Sequence, residues 1–221
     1  SQQLTNTTNI VQTVVYTVTP TSGANGTCVG DTFEVTVVVN PKPSIDAVFP
    51  AAICSGASFS VSPVNGGGIN STDIVPANTT YTWTVFDSSG LVTGDTDTTT
   101  AQTSISQTLT NGSNVPQTVV YTVIPTSGAQ GNCVGETFEV TVVVNPTPVI
   151  PNLTDEICSG EIFTVTPLNT PPTTIVPAGT TYVWTVAINV DVDGESSGSG
   201  AAISQQLTNT TNIVQTVVYT V

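Results

Sequence analysis

Residues 1–18, SQQLTNTTNIVQTVVYTV, return letter for letter as residues 204–221, an offset of 203. A looser copy lies between them. Residues 1–45 match residues 106–150 at 34 of 45 positions, an offset of 105. The next block repeats too: ICSGASFSVSPVN at 53–65 matches ICSGEIFTVTPLN at 157–169, and IVPANTTYTWTV at 74–85 matches IVPAGTTYVWTV at 175–186. A period near 100 residues means that one folding unit is reused, and its two alternating versions make a longer repeat of 203 residues. Both ends fall at one place in the unit, inside the strand-like QTVVYTV, so the chain reads as a window cut from a longer array. The alternative is a two-domain subunit that polymerises by exchanging its matching end strands.

Asn40-Pro41-Lys42-Pro43 and Asn145-Pro146-Thr147-Pro148 mark the joints, because two prolines in four residues stop sheet hydrogen bonding and stiffen the chain. Residues 1–40 are then the C-terminal strands of a preceding domain and 41–146 a complete domain. Residues 147–221 are the N-terminal and middle strands of the next.

More than a third of all residues are Thr or Val. Both are stiff at χ1 and suit pleated strands better than helices, so the fold class is all-β. Period-two alternation predicts strands at 44–48, 58–62, 79–86, 104–109, 117–124 and 136–145, with polar strands between 91 and 103. About seven strands in one domain argue a β-sandwich of immunoglobulin type. Trp83 and Trp184 occupy the central core position, with Tyr121 and Phe138 beside them. Val123 stands where antibody domains carry their second core Cys.

Charge narrows the function. The chain has 15 acidic residues, one Lys, no Arg and no His, a net charge of −14. Nothing neutralises phosphates, so no nucleic-acid partner is expected. Without His, and without a base beside any Ser, Thr or Cys, no catalytic residues are assigned and no enzyme is expected. No run of 18 apolar residues occurs, so membrane insertion is not expected either.

YTVIPTSGAQGNCVGETFEVTVVVNPTP (121–148) and EICSGEIFTVTP (156–167) resemble the PKD-like, immunoglobulin-like repeats of giant Bacteroidota cell-surface proteins, the gliding-motility adhesins among them. The WDFGDG-type element of standard PKD domains is missing, since that strand reads TWTVFDSSG. The resemblance implies secretion to the bacterial surface, a head-to-tail array of sandwiches, and an extended adhesive or force-bearing filament. The implied partners are neighbouring repeats. A glycan- or cell-surface-binding module is the rival reading.

Four cysteines recur in two motifs, Cys28 and Cys133 in GxCxG and Cys54 and Cys158 in ICSG. They suggest an oxidising compartment. In a sandwich of this type the two motifs lie at opposite poles, so Cys54 and Cys133 are too far apart to pair. Three arrangements stay open: each ICSG Cys bonded to the GxCxG Cys of the following domain, sequential pairs Cys28–Cys54 and Cys133–Cys158, or free thiols. Asp191, Asp193 and Glu195 form the one calcium candidate, read rather as a solvated acidic turn; no other cofactor is expected. Asn-X-Ser/Thr sequons at Asn6, Asn25, Asn70, Asn78, Asn111, Asn152 and Asn209 are attributed to the Thr-rich composition.

Overall fold

The computed structural model describes residues 1–23 and 25–221. Among the described residues every regular element is a β-strand. The first two, β1 (Gln12–Val18) and β2 (Phe33–Val39), form an isolated antiparallel hairpin.

Residues from the first proline linker to the second build one closed sandwich. Its strands are β3 (Ile53–Cys54), β4 (Ser58–Val61), β5 (Thr80–Asp87), β6 (Val92–Thr93), β7 (Thr98–Gln102), β8 (Ile105–Thr108), β9 (Thr110–Asn111), β10 (Gln117–Thr126) and β11 (Phe138–Asn145). Five of them form a sheet in the order β3-β11-β10-β5-β7, and the paired ladders β4–β8 and β6–β9 cover it. Alternation drives the closure. Val119, Tyr121 and Val123 from β10 and Val140, Val142 and Val144 from β11 are fully buried with Ile105 and Leu109. Rings set the depth of the core: Phe59 meets Tyr121 at 5.1 Å, and Trp83 meets the same ring edge-on at 6.4 Å.

The first strand differs from the sequence expectation. Residues 44–48 form only two isolated bridges, Ser44↔Ile74 and a parallel Val48↔Val140, and parallel pairing resumes at Ile53↔Val144 and Cys54↔Asn145. Pro50 lies in the gap and has no N–H to give the ladder. The long first-to-last pairing implied by an unbroken strand is therefore two short parallel patches.

The third part repeats the plan with β12 (Ile162–Val165), β13 (Tyr182–Val186), β14 (Val192–Asp193), β15 (Gly198–Gly200), β16 (Ile203–Gln206), β17 (Thr208–Asn209) and β18 (Tyr219–Thr220). Phe163, Tyr182, Trp184 and Ile203 form its smaller core. β18 pairs with β13 at Thr185↔Thr220 and Val186↔Tyr219.

Candidate functional site: the two poles of the module

At the entry pole of the closed sandwich the linker is part of the fold. Pro41 and Pro43 are fully buried, while Lys42 between them stays exposed. The GxCxG loop packs over them. Its turn is closed by Ser127 N–H donating to Cys133 O (2.9 Å) and Gly135 N–H donating to Pro125 O (2.8 Å). Gly135 is required here, since a Cβ at that position would lie 2.5 Å from Pro43 O and 2.8 Å from Pro125 Cγ. Lys42 Nζ meets Glu136 Oε1 at 2.6 Å, both well exposed. That hydrogen bond, and then the Lys42 charge, hold the Glu136 carboxyl below its ordinary value. Hairpin β1–β2 carries the same loop: Ser22 N–H donates to Cys28 O and Gly30 N–H to Pro20 O.

The exit pole is built from ICSG. Cys54 pairs with Asn145 at the end of β11. The chain then turns through Gly56 at φ +87°, with Ala57 N–H donating to Cys54 O at 2.9 Å. Thr147, in the next linker, donates its hydroxyl to Ser55 O at 3.2 Å. The first linker thus packs against the GxCxG loop ahead of it, and the second is held by the ICSG turn behind it.

Polar locks tie the poles to the core. Asn111 is buried; its Nδ2 donates to Val115 O (2.8 Å) and Val144 O (2.9 Å), and its Oδ1 accepts from Ser113 N–H. Asn6 does the same toward Ile10 O and Val39 O, and Asn209 toward Ile213 O. Three residues of the sequon set are therefore structural, with their amide nitrogens engaged by backbone carbonyls. The signal was present, since each sits in the recurring LTN of the repeat. Trp83 Nε1 donates to Thr96 O and Trp184 Nε1 to Ser196 O, both at 3.0 Å. Burial raises Tyr81 to about 12, aided by the Asp73 charge. Burial also pushes Tyr121 up, with a smaller contribution from Asp95. Burial acts to raise Asp87, yet the Val92 and Ser89 N–H groups and the Ser89 hydroxyl outweigh it and leave its carboxyl lowered.

All four cysteines are free in this structure, Cys133 half-buried and the other three exposed. Cys54 lies beside the last residue of β11 and Cys133 precedes its first, and β11 alone spans about 23 Å at ~3.3 Å per residue. That separation exceeds the reach of a disulfide. Glu195 of the calcium candidate accepts the Asn189 N–H at 3.0 Å, and Asp193 is exposed in β14 beside Gly194 at φ +103°. Among the described residues no three acidic, Cys or His side chains gather to hold a metal. Two shallow depressions, of about 370 and 440 Å³, mark the surface. The first has no titratable lining residue. The second has Asp73, whose carboxylate accepts the Asp46 N–H at 2.9 Å.

The PKD-like domain model matches the chain three times, over residues 1–43, 51–148 and 155–221. The chain belongs to the PKD-like domain family. Such PKD-like modules are typically non-catalytic, immunoglobulin-like and extracellular. No curated protein matches the chain. No helix among the described residues is long and apolar enough to cross a membrane.

Proposed function

We propose that this PKD-like chain is a load-bearing segment of an extended acidic rod on a bacterial surface, of the kind its resemblance to Bacteroidota adhesins implies. One observation carries the reading. The first and last strands of the closed sandwich run parallel, so the chain enters at one pole and leaves at the other. Tension along such a chain loads Val48 N–H to Glu139 O, Thr141 N–H to Val48 O and Ser55 N–H to Asn145 O together, in shear. Buried linker prolines limit bending at the joint. The uniform negative charge opposes back-folding at low salt. A glycan-binding role is less well supported, because both Trp side chains lie in the cores.

In an oxidising array the proposal is that the exit thiol of one module, Cys54 in the closed sandwich, bonds the GxCxG thiol of the following one. Peptide mapping of the unreduced native protein tests this, and a Cys54–Cys133 link within one module excludes it.

Single-molecule pulling tests the mechanical role. The closed sandwich should unfold in one step, releasing roughly 350 Å at ~3.3–3.6 Å per residue. Val48→Pro, which removes the N–H donated to Glu139, should lower the unfolding force. An unchanged force argues against the shear-bearing role.

A further inference from the structure

A hydroxyl and a carboxamide stand together at one place in two modules. Gln107 Nε2 donates to Thr96 Oγ1 at 2.8 Å, and Gln205 Nε2 donates to Ser196 Oγ at 2.9 Å. In each case the amide oxygen takes two donors. Gln107 Oε1 accepts the Tyr121 hydroxyl (2.8 Å) and the Thr96 N–H (3.2 Å). Gln205 Oε1 accepts the Tyr219 hydroxyl (2.7 Å) and the Ser196 N–H (3.0 Å). A half-buried acid precedes each hydroxyl, Asp95 and Glu195. Each is close enough for its charge to act on the neighbouring Tyr.

The segment carrying the hydroxyl has otherwise diverged. Asp97 and Thr98 give way to Ser197 and Gly198, aligned by the pairing of Trp83 with Thr98 and of Trp184 with Gly198. The acid and the hydroxyl survive that change. Seating the core Trp uses only the backbone carbonyl of residue 96 or 196, so the Trp does not account for the hydroxyl.

These are the parts of an acyl transfer. A carbonyl oxygen held by two preplaced donors is an oxyanion hole, and the hydroxyl beside the amide is the nucleophile. Burial raises the Tyr121 hydroxyl, which keeps it protonated and therefore a donor. Both reactants belong to one folded chain, so bringing them together carries no association entropy.

We propose that Thr96 and Gln107 close an intramolecular ester with release of ammonia, and that Ser196 and Gln205 are the counterpart pair. Thr96 Oγ1 adds to Gln107 Cδ, the Cδ–Nε2 bond breaks, and the hydroxyl proton passes to the departing nitrogen. Asp95 is placed to relay that proton, a proximity of the fold that residue pattern alone did not show. The step needs no oxidant, reductant or added acyl donor. Cδ is bonded to the nitrogen that Oγ1 already touches, so the nucleophile shifts by about one C–N length, 1.3 Å. Thr96 leads into β7, at the edge of the five-stranded sheet, and Gln107 lies in β8 of its cover. The ester ties the two layers beside the core Trp and, as cross-links do, restricts the unfolded chain. It is a single self-modification and is independent of the load-bearing role.

Intact-mass spectrometry of the whole purified chain tests it. The expected mass falls short of the sequence mass by one ammonia for each ester closed. Thr96→Ala should remove the deficit of the closed sandwich, and Ser196→Ala that of the third part. Both variants keep the backbone groups that seat the Trp. Mild hydroxylamine should open the ester and leave a hydroxamate on Gln107. Tyr121→Phe should slow the appearance of the deficit in freshly folded protein, because one oxyanion donor is gone. A full sequence mass in folded, aged protein overturns the proposal. So does a deficit that persists in the double variant, which places the loss at an Asn-Gly pair such as Asn65-Gly66. Either result leaves the load-bearing reading to the pulling experiment.

Discussion

The Tyr121 hydroxyl donates to Gln107 Oε1 at 2.8 Å, and the same bond recurs as Tyr16 to Gln2 and Tyr219 to Gln205, both at 2.7 Å. Gln107 is more than an acceptor. Its Nε2 donates to Thr96 O, the carbonyl that also receives Trp83 Nε1. One side chain therefore joins the corner of β10 to the loop that seats the core Trp.

Tyr121→Phe should destabilise the closed sandwich by about 1 kcal/mol, the usual net worth of one hydrogen bond. Gln107→Ala should cost more, because Thr96 also loses the acceptor of its N–H and the donor to its hydroxyl, while its carbonyl keeps Trp83. Urea unfolding followed by Trp fluorescence measures both.

Asn111→Ala should cost about 1–3 kcal/mol, since it takes the Asn111 amide from Val144 O and from the Ser113 N–H at a buried position. Asn6→Ala, the matching change in the open hairpin, should leave the same transition unmoved. A similar loss from both would contradict the assignment of Asn111 as the lock of this sandwich. Mass spectrometry of glycosylation-competent expression should find Asn111 unmodified.

Gly135→Ala should destabilise by about 1–3 kcal/mol, as overpacking does, because the new Cβ meets Pro43 O and Pro125 Cγ. Lys42→Ala removes only an exposed ion pair and should change the melting temperature little. If Lys42→Ala proves the more damaging, the joint is held by charge and not by packing.

Alkaline pH should weaken the fold. Tyr81 is raised to about 12 in the folded chain from an ordinary 10, so the unfolded chain gives up its proton first. The stabilisation is complete below pH 10 and disappears as pH rises through about 12. Urea midpoints across that window should fall, and Tyr81→Phe should flatten the slope.

Repetition, alternation and the Thr/Val excess made the all-β sandwich legible in the sequence, because a period of two with Val facing one way has few other solutions. The pairing of the two linkers with their loops was not legible. Gly135 against Pro43 and Thr147 against Ser55 are contacts between segments far apart in sequence. The Asn6, Asn111 and Asn209 set shows the same limit. The recurring LTN was visible, but a sequon and a buried amide lock have the same letters, and only burial and carbonyl partners distinguish them.

The sequence alone determined the strand content, the repeat and the acidity, since these follow from residue type and spacing. Tertiary structure decided which strands come together over each apolar face. Phe138 is buried in a core shared with Phe59, Trp83 and Ile105, from strands distant in sequence. The reason is that burial belongs to the covering layer. A strand encodes which of its faces is apolar, and β4, β5 and β8 supply the cover for β10–β11.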